Sequence, residues 1–174
     1  MIRHFAPDFK VETDQMRLHL EKGTAEAGIL RRDEAGTAIV LPAAFTFRSL
    51  RCQAWLRLVV AGQLREAARR RLPARTRELA AAYGFRYFNR ITVKDVSTRW
   101  GSCSSLGNIN LSLWLMLLPS RYSDYVVKHE LAHLDEMNHG ARFWARLDAM
   151  TDGQARQLRH ELKEYYLAHY GRYR

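Results

Sequence analysis

Residues Tyr125 to His139 read YVVKHELAHLDEMNH, and within them His129, Glu130 and His133 form H-E-x-x-H, with His139 six residues further on. On an α-helix, residues four apart stand one turn above each other on one face, so the imidazoles of His129 and His133 can converge on one point. Two ligands of a tetrahedral ion need that geometry. Glu130 sits beside His129 around the helix, where its carboxylate can hold a metal-bound water but is poorly placed to join the ligands. In such a motif the metal lowers the water's pKa towards roughly 7, and the carboxylate takes its proton. Val127, Leu131 and Leu134 recur at i, i+4 and i+7, a stripe expected to pack on the core.

An ordinary amphipathic helix can also carry this pattern. Given the chain's own His and Glu content, H-E-x-x-H arises by chance in roughly one or two per cent of such chains, and a third His at one prescribed position lowers that by a further ~25-fold. A catalytic zinc site usually takes three protein ligands and leaves the fourth position to water. Were the helix to continue, His139 would lie ~9 Å beyond His133 along the axis and off its face. The chain must therefore turn back, with Asn138, which tolerates positive φ, and Gly140 as the residues to permit it. Glu161, and behind it Asp148 and Glu164, are the rival third ligands. His4, His19, His160 and His169 have no ligand-like spacing.

With 174 residues and 47% hydrophobic content, the chain can bury one core of ordinary domain size. No window approaches the ~20 apolar residues of a membrane-spanning helix, and the N-terminus has no signal-peptide character, which points to a cytoplasmic protein. Cys52 and Cys103 lack C-x-x-C spacing, so reduced thiols are expected. The net charge of +10 owes much to arginines between Arg48 and Arg77. Such an excess favours polyanions such as nucleic acid or nucleotides. Because these arginines interleave with apolar residues at helical spacing, a solvated helix face is the simpler account.

Between Met16 and Leu41, alternating apolar residues punctuated by Gly predict two or three strands of a small antiparallel sheet. Ser49 is suited to cap a helix that begins at Leu50. Pro73 is expected to end or kink it, with a second helix closed by Gly84. The segments FRYFNRITVKDVSTRWGSC and NINLSLWL, separated by Ser104-Ser105-Leu106-Gly107, read as a β-hairpin with one buried face. Pro119 with Ser120 or Ser123 opens the H-E-x-x-H helix, which runs to about Met137. Two further helices follow. The order of elements argues for α+β.

Two blocks, TRWGSCSSLGNINLSLWLMLLP (Thr98–Pro119) and YVVKHELAHLDEMNHGARFW (Tyr125–Trp144), together resemble the YgjP-like metallopeptidase family, a zincin-like group related to the SprT-like and WLM proteases. The resemblance implies a zincin-like α+β domain with a β-hairpin beside the active-site helix. It also implies one Zn2+ per chain held by His129, His133 and His139, with Glu130 as general base and proton shuttle. The chain departs from the family at LSLWLMLLP, where a polar Asn after the leucine and a basic residue near Leu115 are expected. Metzincins share the spacing of the three histidines but place Gly where this chain has Glu136, so its turn must be built differently. A single domain over 1–174 is expected, with a strand region at 1–47 and a helical, catalytic region at 49–174.

Arg99, Trp100, Gly101 and Ser102 have two readings of equal weight. They line a substrate groove whose strand edge binds an extended peptide through main-chain hydrogen bonds, or Trp100 is core and Gly101 a bulge. Arg99, Tyr122 and Tyr125 are candidates to stabilise an oxyanion. A zinc-dependent peptidase acting on a peptide or protein substrate is the leading expectation. The alternatives are a metal-dependent nucleoside triphosphate pyrophosphatase and a DNA-associated zinc protein or protease.

Overall fold

The computed structural model describes Ile2 and residues 4–173, an α+β arrangement of two small sheets and four helices. The first sheet contains β1 (Lys10–Glu12), β2 (Arg17–Lys22), β3 (Ile29–Asp33) and β4 (Gly36–Leu41) in the order β1-β2-β4-β3. It is mixed rather than purely antiparallel, because β2 and β4 run parallel. The burial pattern explains this. β4, with Ala38, Ile39 and Leu41 buried, takes a central position, whereas ILRRD of β3 is exposed throughout and takes the edge. β3 runs opposite to β2, so β4, antiparallel to its hairpin partner β3, runs parallel to β2. Gly36, at φ +134°, closes the β3–β4 turn in a conformation that other residues rarely adopt.

Helix α1 (Leu50–Ala82) begins where expected, with the Ser49 hydroxyl accepting from the Cys52 N–H at 3.3 Å. It does not stop at Pro73 but runs through it, with Tyr83 as cap and Gly84 at φ +76°. Proline removes one backbone hydrogen bond. Burial of Leu64, Ala68, Leu72, Thr76 and Leu79 on both sides of it keeps the two halves on one core, and Thr76 donates to the Leu72 carbonyl at 2.7 Å. Buried Gln53 ties the N-terminal segment to α1 through both the N–H (2.8 Å) and the carbonyl (2.9 Å) of Phe5.

The second sheet orders β5 (Arg90–Lys94), β7 (Asn108–Ser112) and β6 (Gly101–Cys103) as β5-β7-β6. The expected hairpin is therefore β6–β7, turning through Gly107 at φ +71°, while β5 lies parallel to β7 on its other side. The strand expected to include Leu113 ends at Ser112. Its hydroxyl accepts from the Trp114 N–H at 3.2 Å and starts a fully buried 3-10 turn, Leu113–Leu117.

Helix α2 (Ser120–Asp135) follows, then α3 (Ala141–Met150) and α4 (Ala155–Tyr170). The Ser120 N–H donates to the Asp14 carboxylate at 2.9 Å, so a residue from the first sheet's β1–β2 turn, rather than a serine of the helix, caps α2. Val127 and Leu131 are buried as expected and Leu134 packs partly against the core. Among the described residues no helix is long and apolar enough to cross a membrane.

Candidate metal centre

Helix α2 presents His129 and His133 on one face, and their rings approach to 5.0 Å between centroids. The helix ends because Glu136 is extended (φ −139°, ψ 103°), its N–H still bonded to the Ala132 carbonyl at 3.0 Å. The Gly140 N–H then donates to the Asn138 carbonyl at 2.7 Å, and α3 starts immediately afterwards. This folds His139 back onto α2. Its Nε2 lies 3.1 Å from Nε2 of His129, and ligand atoms of all three histidines fall within 4.8 Å of one another. No positive φ is used: Asn138 is not among the residues with one, and Gly140 has φ −78°. The extended Glu136 makes the turn where metzincins use Gly, and the Arg142 guanidinium holds the Glu136 carboxylate at 2.6 Å.

The donor set suits a divalent ion with nitrogen ligands. The buried side chain of Phe143 lies against all three rings, at centroid distances of 4.9, 4.6 and 4.6 Å. The Glu136 carbonyl lies 3.1 Å from Nδ1 of His133, which directs a proton to Nδ1 and leaves Nε2 free to ligate. Burial, reinforced by the neighbouring imidazoles and Arg159, pushes His129 down to about 3, and burial likewise lowers His133. Both are therefore neutral at physiological pH, as a ligand must be. The carboxylates considered as third ligands are engaged elsewhere. Glu161 pairs with Arg121, and Asp148 accepts from the Ala155 N–H at 3.1 Å. Glu164 is exposed and absent from the cluster.

Glu130 is only 4% exposed, and its Oε2 is buried without a hydrogen-bond partner. Burial raises its pKa to about 8, against an opposing pull from the Arg99 charge. A buried carboxylate oxygen without a partner is costly unless function requires it. The R-W-G-S-C block accounts for how β6 comes to lie against it. A Cβ at Gly101 would stand 2.6 Å from Oε1 of Glu130, closer than packing allows, so only glycine permits this approach. Cys103, two residues on, is raised to about 11 by burial and by the Glu130 charge, which makes it an inert thiol.

A cavity of about 490 Å³ opens beside His129, Glu130 and His139. Arg99, Trp100 and Gly101 line it, as do Tyr125 and Arg159. Trp100 fits both of its readings: it faces the cavity and also packs edge-on against Tyr166 at 5.3 Å. Ser102 instead lines a neighbouring depression of about 140 Å³, where its hydroxyl accepts from Nδ2 of Asn110 at 3.3 Å. Of the oxyanion candidates, Tyr122 lies 3.4 Å from the Glu161 carboxylate. The Tyr125 hydroxyl is buried without a hydrogen-bond partner, and Tyr125 lines the cavity. Sequence reasoning missed Phe143 and Arg159 as site residues. Their signals, an apolar residue four past His139 and an arginine on a later helix, acquire meaning only once the chain is folded.

The polyanion alternatives gain no support. Of the α1 arginines, Arg57, Arg65, Arg70 and Arg75 are engaged by carboxylates, as Arg75 is by Asp124 at 2.7 Å and Arg57 by Asp95 at 3.2 Å, and among the described residues Arg51, Arg69, Arg71 and Arg77 are not. The profile of a family described as YgjP-like, metallopeptidase domain, matches residues 8–165. No curated protein matches the chain. Among solved structures, the metallopeptidase zymogen of Pyrococcus abyssi abylysin aligns with a TM-score of 0.48 and 18% identity, covering 57% of this chain and 94% of that one. The zymogen of Methanocaldococcus jannaschii jannalysin gives 0.47 and 16%, covering 53% and 94%.

Proposed function

The chain belongs to the YgjP-like metallopeptidase family, and from that premise we propose that it hydrolyses peptide bonds with one zinc ion held by His129, His133 and His139 and with Glu130 as general base. The observation that carries this reading is the orphaned Oε2 of Glu130, buried beside three converging imidazoles in an open cavity. When bound, the ion acts as a Lewis acid on the scissile carbonyl and eases deprotonation of water. Glu130 accepts the proton of the attacking water and returns it to the leaving amine. Tyr125 donates its otherwise unpartnered hydroxyl hydrogen bond to the oxygen on which negative charge develops. Gly101 brings the β6 backbone against Glu130, and Trp100 closes one wall to water.

Two measurements test the assignment together. Metal analysis of purified wild-type protein should give one zinc per chain, and His139→Ala should lose stoichiometric zinc. Glu130→Gln should keep the metal while chelator-sensitive cleavage of an unstructured protein disappears. Full zinc in His139→Ala, or retained turnover in Glu130→Gln, contradicts the reading.

A further inference from the structure

We propose that Arg99 and Arg159 form an anion subsite that selects peptides carrying a carboxylate close to the scissile bond. The inference rests on the peptidase reading of the site and adds to it the substrate class. Both residues line the cavity beside His129 and Glu130, Arg99 from the approach to β6 and Arg159 from α4. Their charges reach different parts of the centre. Arg99 acts on Glu130, whereas Arg159 acts on His129 and Tyr125.

Several described arginines, Arg77 and Arg156 among them, lack a carboxylate partner, and Arg99 and Arg159 are the two of these that line the cavity. Arg75 and Arg146 are each held by a carboxylate at 2.7 Å. Among the described residues, neither Arg99 nor Arg159 has a carboxylate within ion-pair distance. Asp148, whose charge also reaches Tyr125, already accepts from the Ala155 N–H at 3.1 Å. Arg159 is held by an aromatic ring instead. Its guanidinium lies 5.8 Å from the centroid of Trp144, the same ring that Arg156 covers at 4.4 Å and that lies 6.4 Å from His139. A cation–π contact orients a guanidinium without neutralising it. The cavity's other walls include Val126, Leu162 and Trp100, whose apolar surfaces strengthen the field between the arginines and an incoming anion. The planar guanidinium fork matches a carboxylate, which can come from an Asp or Glu side chain or from the chain terminus of a short peptide.

Binding tests this independently of turnover. Zinc-loaded Glu130→Gln protein is titrated calorimetrically with short alanine-based peptides in which Glu is walked along the chain, each against its Gln counterpart. Every peptide is made as both free acid and C-terminal amide. At one register the Glu peptide should bind about tenfold or more tightly than the Gln peptide, the worth of one charge-assisted hydrogen bond. Adding Arg99→Gln or Arg159→Gln should collapse that ratio towards one. Adding Arg77→Gln, which removes a charge on α1 outside the cavity, should leave it unchanged. If the preference follows the free acid over the amide instead, the subsite reads the chain terminus. Equal affinities throughout, no binding, or a ratio that neither cavity arginine moves overturns the proposal. Cleavage of neutral peptides without acidic preference would defeat only this inference. Acidic preference in binding without chelator-sensitive cleavage by the wild type would defeat only the peptidase reading.

Discussion

Glu130 and Tyr125 both line the cavity and each has a buried polar atom without a hydrogen-bond partner, and an unsatisfied buried group is a stability cost retained for another reason. Their consequences separate experimentally. Tyr125→Phe removes only the donor, so kcat should fall roughly 10- to 100-fold with KM changed far less. Unchanged kcat would show that another group meets the oxyanion. For Glu130 the pH dependence has a definite sign. In metal-free protein the folded state keeps the proton up to about 8, while the unfolded chain releases it near the ordinary 4.5. Its stabilising contribution is therefore complete below 4.5 and is lost as pH rises through 8. Glu130→Gln does not titrate, so with both proteins chelator-treated its stability advantage over the wild type should grow from pH 5 to pH 8, by an amount of order a few kcal/mol, as denaturant unfolding can measure. A constant difference across that range would refute the burial argument.

Elements explain what single residues cannot. The hairpin β6–β7 was legible from alternation in NINLS and from turn composition, but nothing local indicated that Gly101 would touch Glu130. That contact predicts a sharp outcome for Gly101→Ala. Either the strand or the carboxylate must move, at a cost of about 1–3 kcal/mol in stability, and turnover should fall with little change in zinc content. Thermal melting, metal analysis and kinetics on one preparation check all three. The long helix α1 shows the opposite failure of local rules. Pro73 marks a helix end by every local rule, yet core burial on both sides of it preserves one continuous element. The parallel pairing of β2 with β4 was likewise invisible to alternation, which reports faces and not neighbours.

At the scale of the molecule, the first sheet and α2 are joined through hydrogen bonds. Asp14 caps α2, and Gln15 donates to the Leu118 carbonyl at 2.7 Å just ahead of it. The proposed ligand set also bridges elements, since two histidines belong to α2 and the third to the segment leading into α3. Zinc should therefore raise Tm, by about 2.7 kcal/mol of stabilisation at a hundredfold excess over Kd. The gain should shrink markedly in His139→Ala, as differential scanning calorimetry can check. An equal gain in that variant would place the third ligand elsewhere.

By itself the sequence determined the helical face carrying His129, Glu130 and His133, the buried stripe behind it, the α+β class and the need for a turn before His139. All of these follow from periodicity and spacing along one chain. Tertiary structure alone decided that Glu136 would make the turn in extended backbone and that Phe143 would lie against the three imidazoles. It also decided that Arg99 and Arg159, from distant segments, would line the same cavity. Those outcomes depend on which surfaces of distant segments bury each other, and contact between residues far apart in sequence leaves no local period to read.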